Sequence, residues 1–289
     1  MRINLGKPKV SVVVPTYNSE RTLSECLKSI HKQSYPHHET IVIDNFSDDG
    51  TIGISRRFGA RVIQRKCNPA SARNIGIANS TGKYVLFLDS DQILSIRVIE
   101  ECVDKCTVEN VRMVRIPEVF IGKGFWGSCS AIWKNYYENV EQLRSTSEGV
   151  IHGEPRFFNK EKITRLGMLD GRMVFGEDYL LYEKMRKANV KEAYCKSKVY
   201  HYELASIEEI LVKDLRYGRS MPIFLKQTEK PILSLMLRHA ILTFRELIKD
   251  MRSLTMLVGC AVLVWLKTCT IVIGLISRTD RSGGKKDEK

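Results

Sequence analysis

Along the first hundred residues, short apolar runs alternate with longer stretches in which apolar residues recur every three or four positions. The runs are VSVVV (10–14), closed by Pro15, then ETIVIDN (39–45), ARVIQ (60–64) and KYVLFLDSD (83–91). Their brevity and β-branched content predict strands, the first two buried on both faces. Between them lie stretches of helical period: one from Ser19 carrying Leu23, Leu27 and Ile30, one over 52–58 and one over 70–79. Ser19 or Glu20 stands at the start of the first, Asp49-Gly50 makes a turn before the second, and Thr81-Gly82 stops the third. Strands alternating with helices predict an α/β fold, a mainly parallel sheet with helices on both faces.

The pattern then changes. Residues 95–106 predict a helix, VRMVRIPEV (111–119) a strand, 178–189 a helix and EAYCKSKVYHY (192–202) a late strand. Gly122–Glu154 mixes glycine with Trp126, Trp133, Tyr136 and Tyr137, and reads as a less regular half forming the other wall of a cleft. Helices dominate from 207. Over 231–252 Leu233, Leu237, Ile241, Phe244 and Ile248 share one face, with Arg238, Arg245, Lys249 and Arg252 among the rest, a basic amphipathic helix.

Residues 254–276 carry a single charge, Lys267. At ~1.5 Å per residue the stretch reaches ~35 Å, against a hydrocarbon core of ~30 Å. Its Leu, Ile and Val residues favour insertion by roughly 4–7 kcal/mol and Lys267 opposes it by ~2.5–3.5 kcal/mol. Both flanks are basic, with Arg278, Arg281, Lys285 and Lys286 on the far side. A single span cannot keep both flanks on the cytosolic side, so the pattern predicts an in-plane or re-entrant pair with Lys267 snorkelling to the headgroups.

Composition narrows the classes. Of 289 residues 43% are apolar and 27% charged, enough for a core and no case for disorder. Lys and Arg number 46 against 33 Asp and Glu, a net +13 that no single run carries. A dispersed excess argues against a nucleic-acid stripe and fits an anionic small ligand, an anionic membrane surface, or both. The eight cysteines lack CxxC and zinc spacing, and Cys102 and Cys106 read as small core residues. The N-terminal apolar run is too short for a signal peptide, so the expected place is the cytoplasmic face of a membrane, with reduced thiols.

LFLDSD (86–91) is the sharpest chemical signal: two carboxylates one residue apart at the C-terminal end of a buried strand, where open α/β sheets bind ligands. Hard oxygen ligands there suit Mg²⁺ or Mn²⁺, which can hold a diphosphate; a solvated turn is the plain alternative. Asp44 follows IVI and needs donors to be buried there. Asp48 and Asp49 read as turn or cap residues. Glu177-Asp178 opens a helix and reads as a cap or as a cleft carboxylate. His201 is a packed residue or a ligand of the metal or diphosphate. Trp126 and Trp133 are core residues or acceptor platforms, and Tyr217–Ser220 is a solvated face or meets an acceptor phosphate.

VSVVVPTYN (10–18), IVIDNFSDDGT (41–51), NPASARNIGIANSTGKYVLFLDSD (68–91) and GEDYLLYEKMRK (176–187) together resemble the family 2 glycosyltransferases of GT-A fold, membrane-associated type. The resemblance covers roughly 8–205. It implies a GT-A catalytic domain over 1–205, with a nucleotide-sugar-binding half (1–110) and an acceptor-binding half (111–205). Residues 206–289 form the helical membrane-associating region. By the same resemblance Pro15, Thr16 and Tyr17 line the base pocket, Asp44 hydrogen-bonds the base, and Arg73 lies near the nucleotide or diphosphate. Asp89, Ser90 and Asp91 form the metal and nucleotide-sugar segment, with Asp91 the direct metal ligand; Asp178 is the general base beside Glu177. Asn45-Phe46 departs from the family's pattern and leaves Asp44 as the sole base-reading acid. The expected reaction is inverting, metal-dependent sugar transfer from a UDP- or GDP-sugar to a lipid-linked acceptor. A nucleotidyltransferase would want a Gly-rich basic loop where PTYNSERT stands. A basic membrane or nucleic-acid-binding protein without catalysis would not need Asp89, Asp91 and Asp178 together.

Overall fold

The computed structural model describes residues 6–148, 155–204, 206–228, 232–250 and 252–282. The chain forms two compact units. The first takes in residues 1–119, 153–172 and 177–201.

Its sheet begins as the apolar runs predict. Strands β1 (Val10–Thr16), β2 (His38–Asp44), β3 (Arg61–Gln64) and β4 (Tyr84–Phe87) alternate with helices α1 (Glu20–His31), α2 (Thr51–Arg57) and α3 (Pro69–Asn79). Every β1 pairing is parallel, to β2 on one side and β4 on the other. Val10, Val12, Val13 and Val14 are fully buried, each worth roughly 1.5–3 kcal/mol relative to exposure. Gly76 of α3 lets that helix lie directly on β1, since a Cβ there would stand 2.2 Å from Val13.

Beyond β4 the structure departs from the sequence reading in three places. The run 83–91 is strand only to Phe87; Leu88–Asp91 turn into a short strand, β5 (Gln92–Leu94). After α4 (Val98–Val108), the run 111–119 divides at Pro117, which has no N–H to continue a ladder, into β6 (Met113–Arg115) and β7 (Glu118–Ile121). A strand absent from the sequence reading, β8 (Pro155–Asn159), enters antiparallel between β4 and β6. It is short and bounded by charged residues, so its apolar content, Phe157-Phe158, carries little periodic signal.

Short helix α6 (Lys160–Arg165) and α7 (Glu177–Lys187) precede β9 (Glu192–Tyr194) and β10 (Val199–Tyr202). These two strands occupy different sheets, with orders β3-β2-β1-β4-β8-β6-β9 and β5-β10-β7. The turn between them is fixed by Glu101, whose carboxylate accepts the backbone N–H of Lys196 at 2.6 Å and of Ser197 at 2.9 Å.

The described residues of the second unit (120–152, 173–176 and 202–289) are mainly helical: α5 (Gly124–Glu148), α8 (Ile207–Leu225), α9 (Ile232–Asp250) and α10 (Leu254–Ser282). The expectation of an irregular stretch over 122–154 is corrected by α5. Trp126, Cys129, Trp133 and Tyr136 already stand at helical spacing, with the glycines confined to its start; residues 149–154 lie outside the described ones. Trp126, Trp133 and Tyr136 pack against the cluster of Cys129, Ile210, Leu247, Cys260 and Leu263.

The inward face of α9 is His239, Thr243 and Leu247, while Leu237, Ile241 and Ile248 of the expected apolar face are exposed. Lys267 does not snorkel. Its Nζ lies 2.9 Å from Asp214 of α8, whose side chain is 4% exposed, because α8 and α10 cross closely at Gly218 and Gly274. Within α10, Leu254–Ser277 is long and apolar enough to cross a membrane by length and composition. Lys285 and Lys286 of the basic flank lie outside the described residues, as do the side chains of Arg278, Arg281 and Leu233.

Candidate active site

The polar residues of the first unit gather where β1, β2 and β4 end. Thr16 and Asp44 are register partners on adjacent parallel strands. Asp44 has no exposed surface and accepts from Thr16 Oγ1 at 3.0 Å, Ser47 Oγ at 2.5 Å, Ser47 N–H at 2.9 Å and Gln64 Nε2 at 3.3 Å. Those four donors satisfy the lone pairs of a carboxylate taken out of water. Pro15 precedes Thr16 on β1, and Tyr17 follows it, 59% exposed. Asp49 acts as a turn residue, accepting the N–H of Thr51 and of Glu20 at 3.0 Å each. Ser90 donates to Ser19 at the start of α1 at 2.9 Å.

The motif around Arg73 has two faces. Asn68, Ser71 and Asn74 recur every three residues and staple α3 to the loop before α7. Asn68 Nδ2 and Ser71 Oγ donate to the Gly171 carbonyl at 2.8 and 3.0 Å, and Asn74 Nδ2 donates to that of Leu169 at 2.8 Å. Asn68 also caps α3, accepting from Ser71 N–H at 2.9 Å. Gly176, at φ +76°, supplies a backbone conformation that L residues avoid and turns the chain into α7.

Arg73 points the other way and is 5% exposed. Its guanidinium meets Asp89 Oδ1 at 2.7 Å, Glu177 Oε1 at 2.9 Å and Asp178 Oδ1 at 3.7 Å. One cation thus gathers the acid after β4 and the two acids opening α7. Glu177 is buried against it, whereas the Asp178 side chain is 25% exposed.

Asp91 lies beside a second group. His201 Nε2 is 3.3 Å from Asp91 Oδ2, and His201 Nδ1 is 2.5 Å from Glu118 Oε1. Burial alone would lower the His201 pKa; the Asp91 and Glu118 carboxylates outweigh it and push it up to about 10. Glu118 is held well below the usual carboxylate range, because Arg156 and His201 overcome its burial. Negative charge is felt at Cys26 as well, whose thiol is pushed up by burial and then by Asp91 and Asp89.

Among the described residues no three His, Cys, Asp or Glu side chains form a group able to hold a metal ion alone. The donor chemistry fits a cation shared with a ligand: the Asp91 carboxylate in the turn before β5 and the His201 imidazole on β10 suit Mn²⁺ and leave positions for diphosphate oxygens. Asp89 is engaged by Arg73 and faces Arg156 at 3.8 Å. Glu118, Arg156 and Gln92 were missed by sequence reasoning. Their signal is a polar residue set against apolar neighbours in a short strand, Arg156 beside Phe157 in the buried β8 and Glu118 opening β7 before Val119.

The family model for glycosyl transferase family 2 matches residues 11–167, more than half of the chain. The chain belongs to that family. This family 2 glycosyltransferase is 24% identical over 222 residues to glycosyltransferase AglE of Haloferax volcanii, spanning 73% of this chain and 72% of AglE. It is 38% identical over 102 residues to the putative glycosyltransferase EpsE of Bacillus subtilis, 32% of this chain and 37% of EpsE. A stretch of 102 residues is 35% identical to the poly(ribitol-phosphate) beta-N-acetylglucosaminyltransferase TarS of Staphylococcus aureus, 32% of this chain and only 18% of TarS. In structure it is similar to the mannosyltransferase PcManGT of Pyrobaculum calidifontis, solved with GDP-Man and Mn²⁺. The TM-score is 0.61 at 19% identity, over 98% of this chain and 89% of that one. It is also similar to S. aureus TarS 1–349 with UDP, at a TM-score of 0.53 and 17% identity, over 97% of this chain and 93% of that one. At such identities the likeness establishes the fold, and the GT-A expectation holds.

Proposed function

We propose that the protein transfers a sugar, with inversion, from a UDP- or GDP-sugar to a lipid-linked acceptor at the cytosolic face of a membrane. The reading rests above all on Arg73, which holds Asp89 and the Glu177-Asp178 pair around one guanidinium. Inversion needs a base on the acceptor side and positive charge on the leaving-group side, and this arrangement keeps both sets of acids in register.

Pro15, Thr16 and Tyr17 line the nucleobase pocket, with Asp44 buried behind Thr16 and shaping that pocket through the Thr16 and Ser47 hydroxyls. Ser90 and Asp89 sit against the donor's ribose and diphosphate, with Arg73 behind them. Asp91 and His201, and through the same segment Asp89, hold Mg²⁺ or Mn²⁺; when bound, the cation supplies charge against the departing nucleoside diphosphate. Asp178 takes the proton of the acceptor hydroxyl as that oxygen attacks the anomeric carbon. Glu177, buried against Arg73, keeps the guanidinium from collapsing onto Asp178. PcManGT solved with Mn²⁺ and GDP-Man supports a divalent cation and a nucleotide donor for this fold.

The membrane part of the reading rests on the second unit. Val258, Val262, Trp265, Val272 and Ile276 are exposed along α10, and Leu237, Ile241 and Ile248 along α9, surface that water does not favour. Two measurements test the proposal. UDP or GDP at 100 times its Kd adds roughly 2.7 kcal/mol of stability, so one of them is expected to raise the melting temperature more with Mn²⁺ than with chelator. Equal shifts in both conditions overturn metal dependence. The full chain is expected to float with anionic vesicles, and its recovery as a detergent-free soluble species overturns the membrane claim.

A further inference from the structure

Behind His201, on the side away from Asp91, lies a closed set of buried polar side chains. Glu118 Oε1 accepts from His201 Nδ1 at 2.5 Å and from Gln92 Nε2 at 2.9 Å. Glu118 Oε2 accepts from Arg156 Nη2 at 2.8 Å. Arg156 Nη1 donates to Gln92 Oε1 at 3.1 Å, and the same oxygen accepts the Asp89 backbone N–H at 2.9 Å. Gln92 has no exposed surface, and the Arg156 and Glu118 side chains are 3% and 7% exposed.

We propose that Glu118 is a positioning residue: backed by Arg156 and Gln92, it fixes the rotation of the His201 ring so that Nε2 is the nitrogen offered beside Asp91 to a divalent cation. This rests on the reading of Asp91 and His201 as the cation site. The physical case has three parts. A histidine whose one ring nitrogen is bonded to a carboxylate has its other nitrogen defined as the metal-facing one, and its orientation locked. Buried ion pairs add little stability over apolar side chains of the same volume, so packing alone gives no reason for Glu118 and Arg156 to stand here. Finally, Gln92 ties the same set to the Asp89 backbone, so one network holds the ring and the acidic turn together.

The test is Mn²⁺ binding, followed by electron paramagnetic resonance of free Mn²⁺ with the full chain and saturating UDP or GDP. Glu118→Gln keeps the shape and removes the charge. It is expected to weaken Mn²⁺ binding by about 10–100-fold, with nucleotide affinity in chelator unchanged and Glu118→Asp partly restoring Mn²⁺ affinity. A folded Glu118→Gln protein with wild-type Mn²⁺ affinity overturns the proposal. Should that variant fail to fold, ring-¹⁵N NMR of the wild type decides: on adding Zn²⁺ with the nucleotide, the His201 Nε2 resonance is expected to move and Nδ1 to keep its bonded position. Metal-induced movement at Nδ1 instead overturns the proposal. Failure of the wild type to bind Mn²⁺ with either nucleotide would sink the cation-site reading itself, a result distinct from unaltered binding in Glu118→Gln.

Discussion

The two units both pair charge inward but treat apolar surface in opposite ways. In the sheet unit charges lie inside, each answered: Arg73 by Asp89 and Glu177, Arg156 by Glu118, and Arg115 by the rings of Tyr182 and Tyr194, each about 5.1 Å away. In the helical unit apolar side chains face outward along α9 and α10, while Lys267 and Asp214 pair inward. A charge withdrawn from water needs partners of fixed geometry, and that fixity is what a site for chemistry requires. Apolar residues turned outward need surroundings other than water. On the reading proposed above, the difference separates a unit organised for a reaction from one organised for a surface.

The comparison breaks most severely at Asp91. Asp91→Asn is expected to abolish turnover and the Mn²⁺ enhancement of nucleotide binding while the melting temperature is kept, since a neutral amide still fills the space. Activity near wild type would remove Asp91 from the cation site. Asp178→Asn is expected to lower kcat by about 10²–10⁴ with donor affinity little changed. If Glu177→Gln lowers kcat far more than Asp178→Asn without loss of stability, the two carboxylates exchange roles.

On the other side of the comparison stands the Lys267–Asp214 pair. Asp214→Ala leaves a lysine amid helices without its carboxylate, and a loss of about 3–5 kcal/mol is expected. The double change Asp214→Leu with Lys267→Met is expected to be close to neutral; a matching loss in the double variant would show that packing, not charge, is responsible. The smallest effect concerns Glu101, which two backbone N–H groups, working against its burial, hold at a pKa of about 2. A depressed carboxylate pKa contributes stability above the unfolded value and loses it as pH falls toward the folded one. Glu101→Gln is therefore expected to flatten the melting-temperature profile between about pH 4.5 and pH 2, where the wild type declines.

Which parts were legible follows from the same contrast. The strands β1, β2 and β4 carry the short apolar runs VVV, IVI and VLFL, and the acids that follow the last two, Asp44 and Asp89, stand out against them. Asp89 was singled out this way, Arg73 through the family's motifs, and Asp178 as a helix-opening carboxylate and through the same motifs. Glu118 and Arg156 were not, because each sits in a strand of four or five residues whose partners lie far away in sequence, and pairing across such distances leaves no local period. Helix α5 was legible and misread: its aromatic residues keep helical spacing, but glycines at its start drew attention to irregularity. Lys267 was misjudged for a different reason. A lone charge in an apolar stretch has two outlets, the headgroups or a partner, and only the close crossing at Gly218 and Gly274 brings Asp214 near enough to be that partner.

On the proposed reading Arg73 keeps a cation-side acid and a proton-accepting acid in register for inverting transfer. That reading is tested most directly by the anomeric configuration of the product, read by proton NMR with the donor that stabilises the protein best, with Mn²⁺ and with chelator. The account predicts a single product of inverted configuration, formed only with the cation. A product of retained configuration, or full turnover in chelator, would contradict it.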